Sequence, residues 1–162
     1  MTFQQAVSLY PAPGKEGDLA SMNPTAVALP PEGSYKAGAA GVYQARWVWQ
    51  DSVDATLVNN TGTGLPLGFV MNSGKGVIPV GETGSMLVQP GTELAVFTLG
   101  DFFVRTSTAS VRGQKIFAVL ADGTTKTDDA GETVAGAVET PFYAMDTADT
   151  ASVIKMTKQG VL

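Results

Sequence analysis

The chain contains no cysteine and no histidine. No disulfide can staple it, no thiolate can act as a nucleophile, and neither a zinc-finger cage nor a Ser-His-Asp triad can be assembled. The lack of cysteine leaves the redox compartment open, since such a chain folds equally well in oxidising and reducing surroundings. Charge is also sparse, at 15% of residues, against ~25% in ordinary soluble domains. Ten residues are basic and fifteen acidic, for a net charge of −5. The basic ones are scattered, which argues against the Lys and Arg clusters that displace counterions from nucleic acid. Long apolar runs are missing as well. The longest, Leu94 to Leu99 (broken by Thr98) and Ile116 to Ala121, fall far short of the ~20 residues of a membrane helix. Met1-Thr2-Phe3-Gln4-Gln5 has neither the basic region nor the apolar core of a signal peptide. The expectation is a soluble protein made in the cytoplasm, with no membrane or nucleic-acid partner.

The 162 residues suit one domain, since a chain of ~150 residues buries about two-thirds of its unfolded surface. Five of the nine prolines (Pro11, Pro13, Pro24, Pro30 and Pro31) fall in the first 40 residues. Proline fixes φ and removes a ladder donor, so residues 1–40 read as an extended arm with at most one helical turn near Asp18 to Met22. Phe3, Val7, Leu9, Tyr10, Leu19, Met22, Val27 and Leu29 give this arm too much apolar surface for a solvated tail. From residue 42 the period becomes two. Tyr43, Ala45, Trp47 and Trp49 share one face of a strand, with Gln44, Arg46 and Gln50 on the other. Strand-like runs follow at 55–58, 67–71, 76–80, 85–89, 93–99, 102–106, 115–120, 133–138, 141–145 and 152–157, separated by turn signals such as Asn72-Ser73-Gly74 and Asp122-Gly123. No helical stripe occurs. Residues 41–162 are therefore expected to form an all-β body, a compact antiparallel barrel or sandwich, because an open sheet of that size would leave edges and an apolar face bare. The polar, acidic stretch 121–136 reads as a long hairpin loop.

Few constellations carry chemistry. Ser73-Gly74-Lys75-Gly76 lacks the upstream glycine and the Ser/Thr of a phosphate cradle. Asp122, Asp128, Asp129 and Glu132 lie close in sequence but do not have the alternating spacing of a calcium loop. Asp51 with Asp54, and Asp101 beside Phe102 and Phe103, are the only acids placed for glycoside hydrolysis. Trp47 and Trp49 read as core or, alternatively, as a stacking platform for sugars. No catalytic residue, metal site or cofactor is specified. A low-charge β body with an apolar, proline-ordered arm instead suits adhesion to other proteins, because such arms add backbone hydrogen bonds to a neighbour and lose little entropy on docking.

The order and spacing of several segments resemble the structural cement, or capsid decoration, proteins of tailed bacteriophages. Residues 6–24 are similar to the family's arm, with Pro11-Ala12-Pro13 followed by Gly17-Asp18-Leu19-Ala20-Ser21 and Asn23-Pro24, although Leu19 stands where the family has an aromatic. Gly64-Leu65-Pro66-Leu67-Gly68-Phe69-Val70, Val88-Gln89-Pro90-Gly91, Gly100-Asp101-Phe102-Phe103-Val104 and Arg112-Gly113-Gln114-Lys115-Ile116-Phe117-Ala118 continue the resemblance nearly end to end. It implies a non-enzymatic virion protein that sits on the outer surface of the expanded head as a homo-oligomer, a dimer or a trimer, and bridges neighbouring copies of the major capsid protein. Phe3, Tyr10, Pro11, Pro13, Leu19 and Pro24 then become the expected capsid or inter-subunit contacts. The alternative is a carbohydrate-binding module of a head or tail fibre that uses Trp47 and Trp49.

Overall fold

The computed structural model describes residues 14–74 and 85–158. The strand expected at 76–80 lies outside them. Thirteen strands and no helix occur among the described residues: β1 (Ala26–Val27), β2 (Lys36–Ala37), β3 (Val42–Tyr43), β4 (Arg46–Gln50), β5 (Leu57–Asn59), β6 (Gly68–Val70), β7 (Leu87–Val88), β8 (Phe97–Leu99), β9 (Asp101–Arg105), β10 (Lys115–Val119), β11 (Thr125–Asp128), β12 (Ala137–Ala144) and β13 (Val153–Thr157). They form a six-stranded sheet in the order β1-β8-β6-β4-β5-β2, a five-stranded sheet β11-β10-β12-β13-β9, and the ribbon β3-β7. The all-β expectation holds, and of its two forms the chain takes the sandwich; the sheets do not close into a barrel. Pairing among the named strands is antiparallel except where β2 meets β5, and an isolated parallel bridge joins Thr106 to Thr125 of β11.

Two apolar cores explain the stacking. Trp47, Trp49 and Phe69 of the six-stranded sheet pack against Phe102, Val104, Ile116, Phe142, Ile154 and Met156 of the five-stranded one. On the opposite face, Val48, Val58 and Val70 pack with Val42 and Val88 of the β3-β7 ribbon and with Tyr35 and Leu94. Strands β4 and β6 are thus covered on both sides, so Trp47, Val48 and Trp49 are buried in succession. Trp47 meets Phe69 edge-to-face within its own sheet (centroids 5.5 Å apart), and Trp47 against Phe142 (5.3 Å) and Phe69 against Phe102 (5.3 Å) tie the two sheets together, ring contacts that add to the area buried.

Three sequence expectations change in detail. The alternation over residues 42–50 breaks at Ala45, whose φ is 60°. The break turns Tyr43 outward and buries Gln44, whose side-chain oxygen accepts from the backbone N–H of Ser73 at 2.6 Å. The supposed loop 121–136 contains β11, paired in register with β10 from Lys115↔Asp128 to Ala118↔Thr125. The buried positions of β11 are Thr125 and Thr127, so its period-two pattern is carried by hydroxyls rather than aliphatics. Of the run 133–138 only Ala137 and Val138 are strand, the rest being loop and turn, and they continue through the run 141–145 as the single strand β12. Pro141, which has no N–H for a ladder, falls where the β10 register shifts between Lys115 and Phe117.

Candidate docking surface

The chain bends from one sheet into the other at Gly100, between β8 and β9, with a φ of 142° that favours glycine. Residues 17–28 run antiparallel beside this bent ribbon. Gly17 N–H donates to the Phe103 carbonyl (2.8 Å), Phe103 N–H to Asp18 (2.9 Å), and Ala20 N–H to Asp101 (2.9 Å), which covers the edge of β9. Past the corner β1 takes up β8, with Ala26 opposite Leu99 and Val27 opposite Phe97, and Ala28 N–H donates to Val96 (2.8 Å). Gly17 itself has a φ of 87°, and a Cβ there would lie 2.9 Å from the backbone nitrogen of Asn72, so no side chain fits this contact.

Between these two footholds residues 21–25 loop away from the corner, held by one carboxylate. Asp101 accepts from Ser21 Oγ (2.5 Å) and Asn23 Nδ2 (2.6 Å) through one oxygen and from Thr157 Oγ1 (2.5 Å) through the other. Burial is the largest single influence on this carboxyl and pushes its pKa up; the bonds from Ser21, Thr157 and Asn23 together outweigh it and hold the pKa below the ordinary value of 3.8.

Four large apolar side chains of this segment are exposed. Met22 is 100% exposed, Leu29 91%, Val27 54% and Leu19 42%. Along 26–29 the usual strand pattern is reversed: Ala26 and Ala28 are half-buried, and the larger Val27 and Leu29 face solvent. Burying a Val, Leu or Met side chain is worth roughly 1.5–3 kcal/mol, so a chain that buries its alanines and exposes these leaves adhesive surface for another molecule.

Of the contacts expected from sequence, Leu19 and Pro24 are exposed in this segment, and Phe3, Tyr10, Pro11 and Pro13 lie outside the described residues. Met22, Val27 and Leu29 were legible only as part of an apolar arm; the signal that singles two of them out is the small-large alternation Ala26-Val27-Ala28-Leu29.

The other candidates are structural. Trp47 and Trp49 are 1% and 4% exposed, and their indole N–H groups donate to Thr125 Oγ1 (3.0 Å) and the Gly64 carbonyl (2.8 Å). Neither presents a ring face to a sugar, and the stacking-platform reading falls. Asp51 accepts from the backbone of Val53 and Asp54 and from Asn59, and Asp54 accepts from the hydroxyl and N–H of Thr56. These turn bonds lower both pKa values. In the acidic stretch, Asp122 accepts from the N–H and hydroxyl of Thr124. No group of three carboxylates able to hold a metal occurs among the described residues.

Residues 3–158 match the family described as XM1 gp53 minor capsid protein. The fold is similar to that of a chain in the solved structure titled "The capsid of Myoviridae Phage XM1", with a TM-score of 0.62 and 17% identity over 100% of both chains. No curated protein matches the sequence.

Proposed function

The chain belongs to the XM1 gp53 minor capsid protein family and is a structural protein of a phage capsid; from that premise we propose that it is a decoration protein, cementing the outer surface of the expanded head by bridging neighbouring copies of the major capsid protein. In this reading residues 1–40 supply the adhesive arm, anchored through β1, β2 and Tyr35 in the body that 41–162 form, and the working form is a homo-oligomer. The observation that carries this reading is the reversed burial of residues 26–29, where Val27 and Leu29 face solvent and Met22, earlier in the same segment, is fully exposed. Leu19 and Pro24 extend the same contact, and Phe3, Tyr10, Pro11 and Pro13 are its proposed continuation toward the amino end. The role is adhesive rather than catalytic. Many modest contacts repeated over a lattice add multivalently, so each site need not be tight.

The test is co-sedimentation with heads that lack this chain. Wild type is expected to saturate at a fixed number of copies per shell. The double variant Val27→Ser/Leu29→Ser, altered only at exposed side chains, is expected to keep its thermal unfolding midpoint and to bind at least tenfold more weakly, about 1.4 kcal/mol. Undiminished binding of the double variant defeats the arm's role. Failure of the wild type to bind any head defeats the decoration reading.

A further inference from the structure

Beside the foot of the arm lies a cleft of about 380 Å³ whose walls include Glu16, Tyr43, Arg46, Met86, Arg105 and Ser107. Both non-glycine residues with left-handed φ among the described residues, Ala45 (60°) and Ala151 (59°), also line it. Each such conformation carries a steric cost for a residue with a Cβ. The strain fixes two arginines. The turn at Ala45 sets Arg46 over the Tyr43 ring at 4.6 Å, where its Nη1 donates to the Asp122 carbonyl at 3.2 Å. The turn at Ala151 offers its carbonyl to Arg105 Nη1 at 2.7 Å, while Arg105 Nε pairs with Glu16 at 2.8 Å.

Arg105 therefore has a carboxylate partner, and Arg46 has none among the described residues. In a chain of net charge −5, the described lining of this cleft sets two guanidiniums against one carboxylate. Its complement is negative. Tyr43, 40% exposed, and half-buried Met86 add apolar surface beside that charge, and a guanidinium held by stacking keeps a planar fork for a bidentate carboxylate.

We propose that this cleft receives an extended segment of a neighbouring shell subunit that presents a carboxylate next to an apolar side chain. The proposal rests on the decoration reading and adds a second, charge-selective contact to the apolar one made by the arm. The apolar ridge supplies area, and the cleft supplies register, since a carboxylate pairs with a guanidinium in few geometries.

The experiment titrates the full chain with acetyl-Phe-Asp-amide and with its neutral twin acetyl-Phe-Asn-amide, followed by NMR shifts of Tyr43, Met86 and Arg46. Saturable shifts with the aspartyl peptide, at least fivefold weaker with the asparaginyl one, are expected. Arg46→Gln is expected to abolish the preference. Arg46→Lys, which keeps charge and stem, retains part of it and separates lost recognition from a folding defect. No saturable response, equal response to both peptides, or an undiminished preference in Arg46→Gln overturns the proposal. On heads, Arg46→Gln is expected to bind several-fold more weakly with a shallower salt dependence; unchanged binding and salt dependence overturn the proposal while leaving the arm's contact standing. A wild type that takes the aspartyl peptide but binds no heads overturns the shell as partner.

Discussion

At the scale of single residues, Asp101 has the largest leverage. Its carboxylate joins the looped-out part of the arm to β13 through Ser21, Asn23 and Thr157, and hydrogen bonds to a charged group are worth roughly 1.5–3 kcal/mol each. Asp101→Asn is expected to lower stability near neutral pH by about 2–3 kcal/mol, measured by urea unfolding. The sign with pH follows from the depressed pKa. The folded state binds this proton less readily than the unfolded chain, so the stabilisation is whole above the ordinary value of 3.8 and disappears as pH falls through the lower, folded-state value. The gap between wild type and Asp101→Asn therefore narrows in acid. A gap as wide at about pH 2.5 as at neutrality refutes the ionised clasp. Sequence alone gave Asp101 only as an acid beside aromatics, because its partners lie 56 to 80 residues away in the chain.

At the scale of elements, β11 shows why part of the fold was hidden. Its inward residues are threonines, and Thr125 lies 1% exposed with its hydroxyl under the Trp47 indole N–H at 3.0 Å. Thr125→Val keeps the shape and removes the acceptor, leaving a buried N–H unpaired, so a loss of about 1–3 kcal/mol is expected in urea unfolding. An unchanged midpoint shows that the hydroxyl merely fills space. Most other strands were legible, because short aliphatic or aromatic runs between turn signals mark β4, β6, β9, β10 and β13, three of which (β4, β6 and β10) are buried in succession rather than in alternation. What alternation cannot reveal is which strands pair across long separations. The parallel match of β2 with β5 and the course of residues 17–28 along β8 and β9 are set by packing and by the corner at Gly100. The reversed pattern was present in the sequence as the four residues 26–29, and only their burial shows that the larger side chains face outward.

At the scale of the whole molecule, the decoration role predicts a change in the shell rather than in the protein. A ligand that binds the expanded shell alone stabilises it by RT ln(1 + [L]/Kd), about 2.7 kcal/mol per site at a hundredfold excess over Kd. Heads saturated with this chain are expected to release their DNA at a higher temperature than bare heads, followed with a DNA-binding dye during heating. Identical release curves count against cementing. The two-footed attachment of the arm also has a mechanical consequence. Residues 17–20 are bonded to the five-stranded sheet and 26–28 to the six-stranded one. A pull on the loop between them, at Met22, loads both sheets in parallel instead of unzipping one ladder from its free end. Tension from a swelling shell would enter the body by two routes at once, and the arm would have to be sheared from both before it let go.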